Sequence, residues 1–193
     1  MVKRKDDYVK VWDILVRVFH WSLVIFFIIA YLTEGDWIVI HSYAGYTIFL
    51  LVIFRIVWGI IGSFHARFSN FVVPPREAVK YIKEELSGDA KHYLGHNPAG
   101  GLMIIALIIS LLVTVVTGAS IIATEGDGPL AATFIASFSG ELLEEIHEFF
   151  TTIILLLVIL HIGGVIFSSL LQEENLIKAM LTGKKIRRSE DQG

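Results

Sequence analysis

Four long apolar stretches most constrain what this chain can fold into. They cover approximately residues 11–32, 38–61, 100–123 and 146–171. A bilayer core of about 30 Å is crossed by about 20 helical residues, and the high mean hydropathy of +0.67 is typical of a multi-pass membrane protein. The sequence therefore predicts an all-α membrane protein. We expect a four-transmembrane-helix antiparallel bundle that contacts membrane lipid and forms a single domain over residues 1–193.

The first apolar stretch is expected to remain in the protein as an uncleaved helix. It is long for a signal peptide, and it contains Asp13 and Arg17. The sequence AYLTEGDW at its end also lacks a convincing small-x-small cleavage site. The first span is therefore counted with the other three.

Basic residues are confined to alternate sides of the predicted spans. The connections 33–37 and 124–145 contain no lysine or arginine, only acids such as Glu34 and Asp127. By the positive-inside rule, both termini, the connection 63–98 and the tail 172–193 are cytoplasmic. The basic residues that carry this argument are Lys3, Arg4, Lys5, Lys10, Arg17, Arg67, Arg76, Lys80, Lys83, Lys91, Lys178, Lys184, Lys185, Arg187 and Arg188.

The cytoplasmic connection contains a segment with helical periodicity. In PPREAVKYIKEELSGDA, the apolar residues Ala78, Val79, Ile82 and Leu86 recur at helical spacing beside charged residues. This pattern favours a short amphipathic helix lying on the membrane surface. An ordinary polar connector is the alternative, because one apolar stripe of this length is a weak signal.

Four of the seven histidines fall within or at the edge of a span, at two depths. His20 and His161 lie eight to ten residues from the cytoplasmic ends of the first and fourth spans, or about 12 to 15 Å deep. His41 and His147 lie near the outer starts of the second and fourth spans. His147 and His161 are fourteen residues apart, on nearly the same helix face and separated by about 21 Å. The imidazoles therefore form an inner pair and an outer pair.

Two facing imidazoles at one level suit the axial ligation of a haem iron from both sides. The chain has no cysteine, which excludes disulfides, thiolate-bound iron–sulfur clusters and covalent c-type haem. Zinc would need further ligands, and Asp13 is the one acid near the inner pair. A single histidine in a span is equally well explained by a hydrogen bond to a neighbouring carbonyl, but four that pair by depth favour two haems.

Two arginines in the spans are candidate partners of haem propionates. Arg55 follows His41 by fourteen residues, which places it on the same face at the inner level. Arg17 lies one turn before His20. Snorkelling to the cytoplasmic interface is the alternative for both and is stronger for Arg17. Small residues leave room for a macrocycle or for helix packing at Gly45, Gly59, Gly62, Gly163 and Gly164.

Several segments together carry a family resemblance: WDILVRVFHW, HSYAGY, FRIVWGIIGSFHARF, YLGHNPAGGLM, and the fourth-span pair IHEFF and LHIGG. They resemble the prokaryotic cytochrome b561 family, which includes the b-type cytochrome subunits of nickel–iron hydrogenases. The resemblance covers about residues 8–183. It implies a diheme b cytochrome of the bacterial inner membrane, with non-covalent haems on His20 and His161 at the inner level and on His41 and His147 at the outer level. This assignment agrees with the pairing by depth.

The resemblance also draws attention to the residues just before the third span. His92, His96 and Asn97 are candidates for lining a quinone pocket on the cytoplasmic side. The alternative is a helix-start turn in which Asn97 caps the third helix and Pro98 occupies its first position, and this alternative is favoured.

The resemblance implies electron transfer between the membrane quinone pool and a redox partner. Our first interpretation is a conduit to a periplasmic c-type cytochrome or hydrogenase, whose basic docking face would be steered by the acidic outer loops. A superoxide-oxidising quinone reductase ranks second, because those acids would repel an anion. A non-redox ion or proton transporter is the third class. The charge distribution does not suggest a nucleic-acid partner, and a homodimer is left open.

Overall fold

The computed structural model describes residues 8–187 and is mainly helical. Four basic residues used to predict the orientation, Lys3, Arg4, Lys5 and Arg188, lie outside the described residues. Three short 3₁₀ turns lie in the connections. The helices and strands of the described part are β1 (Tyr8–Lys10), α1 (Ile14–Leu32), α2 (Ile38–Ile61), α3 (Pro75–Ser87), α4 (Pro98–Thr124), α5 (Gly140–Leu171), α6 (Leu176–Thr182) and β2 (Lys184–Ile186).

Helices α1, α2, α4 and α5 are long and apolar enough to cross a membrane. In the most apolar 18-residue stretch of each helix, at most 28% of the residues are buried inside the protein. Apolar side chains that point outward along a whole helix require a lipid environment, because exposing so much apolar surface to water is unfavourable. The predicted class, an all-α membrane protein with four spans, is confirmed.

Two long helices begin at different residues from those predicted. Helix α1 begins at Ile14, after a short strand and a capping residue. Helix α5 begins at Gly140, and its first turns carry acids that were predicted to lie in the connection 124–145. Acidic residues such as Glu141 are favourable there because the first turn of a helix carries a partial positive charge. Hydropathy marks the lipid-facing length of a helix and leaves out such polar extensions.

The described chain divides into two compact units. The first unit contains the described residues up to Val18, Ile56–Ile105, and the described residues from Ile159 onward. The second unit contains Phe19–Arg55 and Ala106–Val158. Each of the four long helices contributes residues to both units.

The first unit joins the two ends of the described chain. Strand β1 pairs antiparallel with β2, with Tyr8 opposite Ile186. The amides of Val11 and Trp12 both donate to the carbonyl of Gly183, at 2.8 and 3.1 Å. A small apolar cluster lies beside this ribbon and is formed by Val11, Trp12, Val16, Ala66 and Ala179. This non-local pairing was not predicted from the sequence.

Asp13 caps helix α1 and connects it to the last turns of α2 and to the residues that follow α2. Its Oδ1 accepts the amide of Val16 at 2.9 Å, and its Oδ2 accepts hydrogen bonds from Trp58 Nε1 and Ser63 Oγ. Burial alone would raise the pKa of Asp13, but these hydrogen bonds outweigh it and hold the pKa below its ordinary value. The carboxylate is therefore a structural anion, and its oxygens are used by the protein itself.

Replacing Asp13 by alanine is expected to lower the free energy of unfolding by about 2 kcal/mol, because a helix cap is lost and two side-chain donors lose their acceptor. Since the folded pKa is lowered, this stabilisation is present at neutral pH and is lost as the pH falls toward the lowered pKa. Thermal unfolding in detergent should show the loss at neutral pH and a smaller difference in acid. Asp36→Ala, at an exposed position, is the control, and an equal loss in both variants would contradict the role of Asp13.

The helix predicted in the connection is present as α3, and most of its apolar stripe is exposed. Of the predicted apolar stripe, Ala78 is buried, whereas Val79, Ile82 and Leu86 are exposed. Buried positions are also occupied by Tyr81 and Glu85. An exposed apolar stripe is the arrangement that a helix on a membrane surface requires.

A hydrogen-bond network explains why polar groups on α3 point inward. The hydroxyl of Tyr81 accepts from Asn97 Nδ2 and Gln172 Nε2, both at 3.1 Å, and donates to Glu85. The hydroxyl of Ser168 donates to the same carboxylate at 2.6 Å. Burial and, after it, the charge of Glu85 raise the pKa of Tyr81 to about 12, so this phenol stays protonated at neutral pH. The network fixes α3 against the start of α4 and the end of α5.

Candidate functional site

Two of the predicted ligands lie next to each other in the second unit. His41 is on the second turn of α2, and His147 is on the third turn of α5. Their ring centroids are 6.2 Å apart, and the ring planes are inclined by 65°. The structure therefore brings together the two histidines that the sequence placed at the outer level.

Each of these two rings is oriented by a backbone carbonyl of a neighbouring helix. Nδ1 of His41 lies 2.8 Å from the carbonyl of Ala30, and Nδ1 of His147 lies 2.9 Å from that of Thr114. Because a carbonyl only accepts, Nδ1 of each ring donates, and Nε2 keeps its lone pair. A hydrogen bond from one ring nitrogen to a carbonyl is how proteins orient an imidazole that binds a metal through its other nitrogen.

Gly118 makes room for the ring of His147. A Cβ atom at this position would lie 2.9 Å from Cε1 of His147. Thr114 and Gly118 are one turn apart on α4, so the accepting carbonyl and the missing side chain lie on the same face. The roles of Ala30, Thr114 and Gly118 were not predicted from the sequence. A glycine within an apolar span was the one signal that pointed to Gly118.

The other predicted site residues of the spans lie on the expected helices. His20, on α1, is partly buried and packs edge-on against Trp21, with ring centroids 5.1 Å apart. His161, on α5, is also partly buried. Their pairing stays a prediction. Arg55 is 3% exposed, which disfavours snorkelling, because a snorkelling arginine keeps its guanidinium in contact with the interface.

Arg17 has a structural partner at the C-terminal end of α6. One of its guanidinium nitrogens donates to the carbonyl of Leu181. The last carbonyls of a helix have no partner within the helix, so a cation is favourable at this position. The bond connects α1 to α6 within the first unit. The assignment of Arg17 to a haem propionate stays a prediction.

A cavity of about 200 Å³ lies in the first unit, next to the start of α4. It combines aromatic rings with two imidazoles and one amide, the surroundings that a flat ring with polar oxygens would need. The ring of His96 packs between Trp12 and Phe71, with centroid distances of 4.5 and 4.6 Å. The cavity is lined by Phe64, His65, Asn70, Phe71, Tyr93, Leu94, Gly95 and His96.

Of the three residues named for a quinone pocket, His96 lines this cavity. Asn97 instead caps α4: its Oδ1 accepts the amide of Gly100 at 2.7 Å, and Pro98 is the first helical residue. Nε2 of His92 lies 3.3 Å from a carboxylate oxygen of Glu174. The capping alternative for Asn97 is confirmed, whereas His65 and Asn70 line the cavity without having been predicted.

Residues 11–183 match the family model for prokaryotic cytochrome b561. The chain belongs to this family. The chain is also 24% identical over 164 residues to a probable Ni/Fe-hydrogenase B-type cytochrome subunit of Rhizobium leguminosarum bv. viciae. The alignment covers 76% of this chain and 67% of the relative. Both comparisons indicate a b-type cytochrome for electron transfer, and the family implies a b-type haem.

The histidine pair of the b561 chain fits such a haem by its spacing and its donor atoms. An imidazole nitrogen binds a first-row metal at about 2 Å, so two rings on opposite sides of one ion have centroids about 6 Å apart. The 6.2 Å between His41 and His147 agrees with this distance. A Cβ at Gly45, one turn after His41, would meet no atom within 4 Å, which leaves space beside the ring.

Proposed function

We propose that this protein is a diheme b-type cytochrome of the bacterial inner membrane, which carries electrons between the quinone pool and a periplasmic redox partner. The observation that carries the proposal is the pair of His41 and His147, whose rings are 6.2 Å apart and whose Nδ1 atoms both lie against carbonyls. Bound haem supplies one-electron redox chemistry. The protein contributes axial ligands, orientation and electrostatic field.

In this proposal the four span histidines hold two haems. His41 and His147 are the ligands at the outer level, and His20 and His161 are the ligands at the inner level. Arg55 is buried and lies on a membrane-spanning helix, where a cation needs an anionic partner. We assign a haem propionate to Arg55 as an anionic contact, and Arg17, which donates to the carbonyl of Leu181, is the weaker second candidate.

We assign the quinone to the cavity lined by His65 and His96. Its aromatic walls suit the faces of a quinone ring, and its imidazoles can exchange protons and hydrogen bonds with the ring oxygens. Burial and, after it, the nearby charge of Lys185 lower the pKa of His65. His65 is therefore neutral at pH 7, and a neutral imidazole can accept the proton that a quinol hydroxyl releases on oxidation.

In the proposed orientation, the outer side of the protein is acidic. Seven exposed acids lie in or beside the connections at that end of the long helices, and residues 33–37 and 125–158 contain no lysine or arginine. A partner with a basic face would be steered toward the outer haem. The Rhizobium relative is named as a hydrogenase subunit, so a hydrogenase or a c-type cytochrome is the proposed partner. The acids are Glu34, Asp36, Glu125, Asp127, Glu141, Glu144 and Glu145.

A reduced-minus-oxidised spectrum and a redox titration of the purified protein test the proposal. We expect the bands of b-type haem, two haems per chain, and two components in the titration. A quinol such as decylubiquinol should reduce the haem. Absence of haem bands would refute the proposal, a single haem would refute its diheme part, and failure of quinols to reduce the haem would refute the quinone assignment.

A further inference from the structure

Lys185 is a buried lysine on the last strand of the described chain. Its neighbour Lys184 is exposed, whereas the Lys185 side chain is 4% exposed, because successive side chains of a strand point to opposite faces. Burying an ammonium group is costly unless it is paired. Lys185 Nζ lies 3.1 Å from Glu174 Oε2 and donates to the carbonyl of Tyr93 at 2.8 Å. The lysine therefore joins two other segments of the first unit.

Glu174 holds the ammonium in place. Its side chain is 5% exposed, and its Oε1 accepts the amide of Ile186 at 2.9 Å. The carboxylate also lies within 3.3 Å of His92 Nε2. Burial alone would raise the pKa of Glu174, but Lys185 and the hydrogen bonds outweigh it and lower the pKa. The pair is therefore ionic, and it fixes β2 against the segment that follows α3.

The segment held by Lys185 is one wall of the cavity. Tyr93 and the three residues after it, including His96, all line the cavity. Residues 183–186, at the C-terminal end of the described chain, also support His96 through Trp12. Gly183 accepts the amide of Trp12, and the ring of Trp12 packs on His96. Residues 183–186 thus help to position His96 through Tyr93 and Trp12, although none of the four lines the cavity.

We propose that Lys185 is a positioning residue of the quinone site: its ammonium holds the carbonyl of Tyr93 and thereby the cavity wall that presents His96. The inference rests on the proposed function, because it concerns the cavity assigned there to quinone. Lys185 acts on the cavity through Tyr93 and through its charge, which lowers the pKa of His65, and it does not itself line the cavity. Its removal should therefore weaken quinol binding and leave the haem sites as they are.

The test uses the full-length, haem-loaded protein in nanodiscs, with decylubiquinol as the probe. Lys185→Met alone would leave the buried carboxylate of Glu174 without its cation and could prevent folding. The double variant Lys185→Met/Glu174→Gln removes both charges together, and glutamine keeps an acceptor for Ile186. Lys184→Met is the matched control, since it removes an equal charge from an exposed position of the same strand.

We expect the double variant to raise KM for decylubiquinol about three- to tenfold, which corresponds to the net free energy of about one ordinary hydrogen bond, with haem content and haem potentials unchanged. Lys184→Met should have the KM of the wild type. A double variant that loses only thermal stability and keeps the wild-type KM would overturn the inference and leave the proposed function intact. If decylubiquinol does not reduce the wild-type haem, the quinone assignment fails, and the inference fails with it.

Discussion

Replacing His147 by alanine is expected to reduce the haem content from two per chain to one. In the proposed arrangement His147 is one of the two ligands of the outer haem, and an alanine would leave His41 as its single axial ligand. The inner level keeps both of its proposed ligands, so its haem should stay bound. Electron transfer to a periplasmic acceptor should then be lost, because the outer haem is the proposed exit.

Haem per chain and the number of components in a redox titration measure this outcome. His41→Ala should give the same result as His147→Ala, since both remove a ligand of one haem. The control is His65→Ala, which removes an imidazole outside the spans and should leave both haems in place. Loss of both haems from either outer variant, or of neither, would contradict the pairing of the span histidines by depth.

The long helices and the outer histidine pair could be predicted because each has a simple physical signature. Lipid requires about 20 apolar residues per span, and a helix converts sequence distance directly into depth. Depth and orientation alone placed His41 and His147 at one level, and their rings lie 6.2 Å apart in the structure. The depth of a histidine in a span does not depend on which helices are neighbours.

The short ribbon and the cavity could not be predicted because they depend on contacts that are distant in sequence. Strands β1 and β2 have three residues each and pair across almost the whole chain. Lys184 and Lys185 contributed equally to the predicted orientation, yet one is exposed and the other is buried beside Glu174. Counting charges along the sequence cannot distinguish two adjacent lysines. In a strand they differ, because successive side chains point to opposite faces.

Helix α3 shows the same limit on a smaller scale. Its periodicity predicted the helix correctly, but its inward face carries Tyr81 and Glu85 because Asn97, Gln172 and Ser168 provide hydrogen-bond partners there. An apolar stripe predicts burial only where the alternative surroundings are water. In a membrane protein the stripe is free to point toward lipid.

Replacing Gly118 by alanine is expected to weaken the outer haem, although alanine is the better helix former. Helix propensity alone would favour the variant by about 1 kcal/mol. The added Cβ would lie 2.9 Å from the ring of His147, closer than carbon atoms normally approach. The ring must then move, and its Nδ1 bond to Thr114 and the direction of Nε2 change with it. Overpacking of this kind costs about 1 to 3 kcal/mol, or about a fivefold to 150-fold loss of affinity.

Gly163→Ala on α5 separates the steric effect from the propensity effect. It brings the same gain in helix propensity, but a Cβ there would meet no atom within 4 Å. Retention of the outer haem during dilution or competition with apomyoglobin measures the difference. Gly118→Ala should lose the outer haem faster than the wild type, and Gly163→Ala should retain it. Equal retention in Gly118→Ala and Gly163→Ala would mean that the ring of His147 can shift without loss of ligation, and the close approach at Gly118 would then have no role in holding the haem.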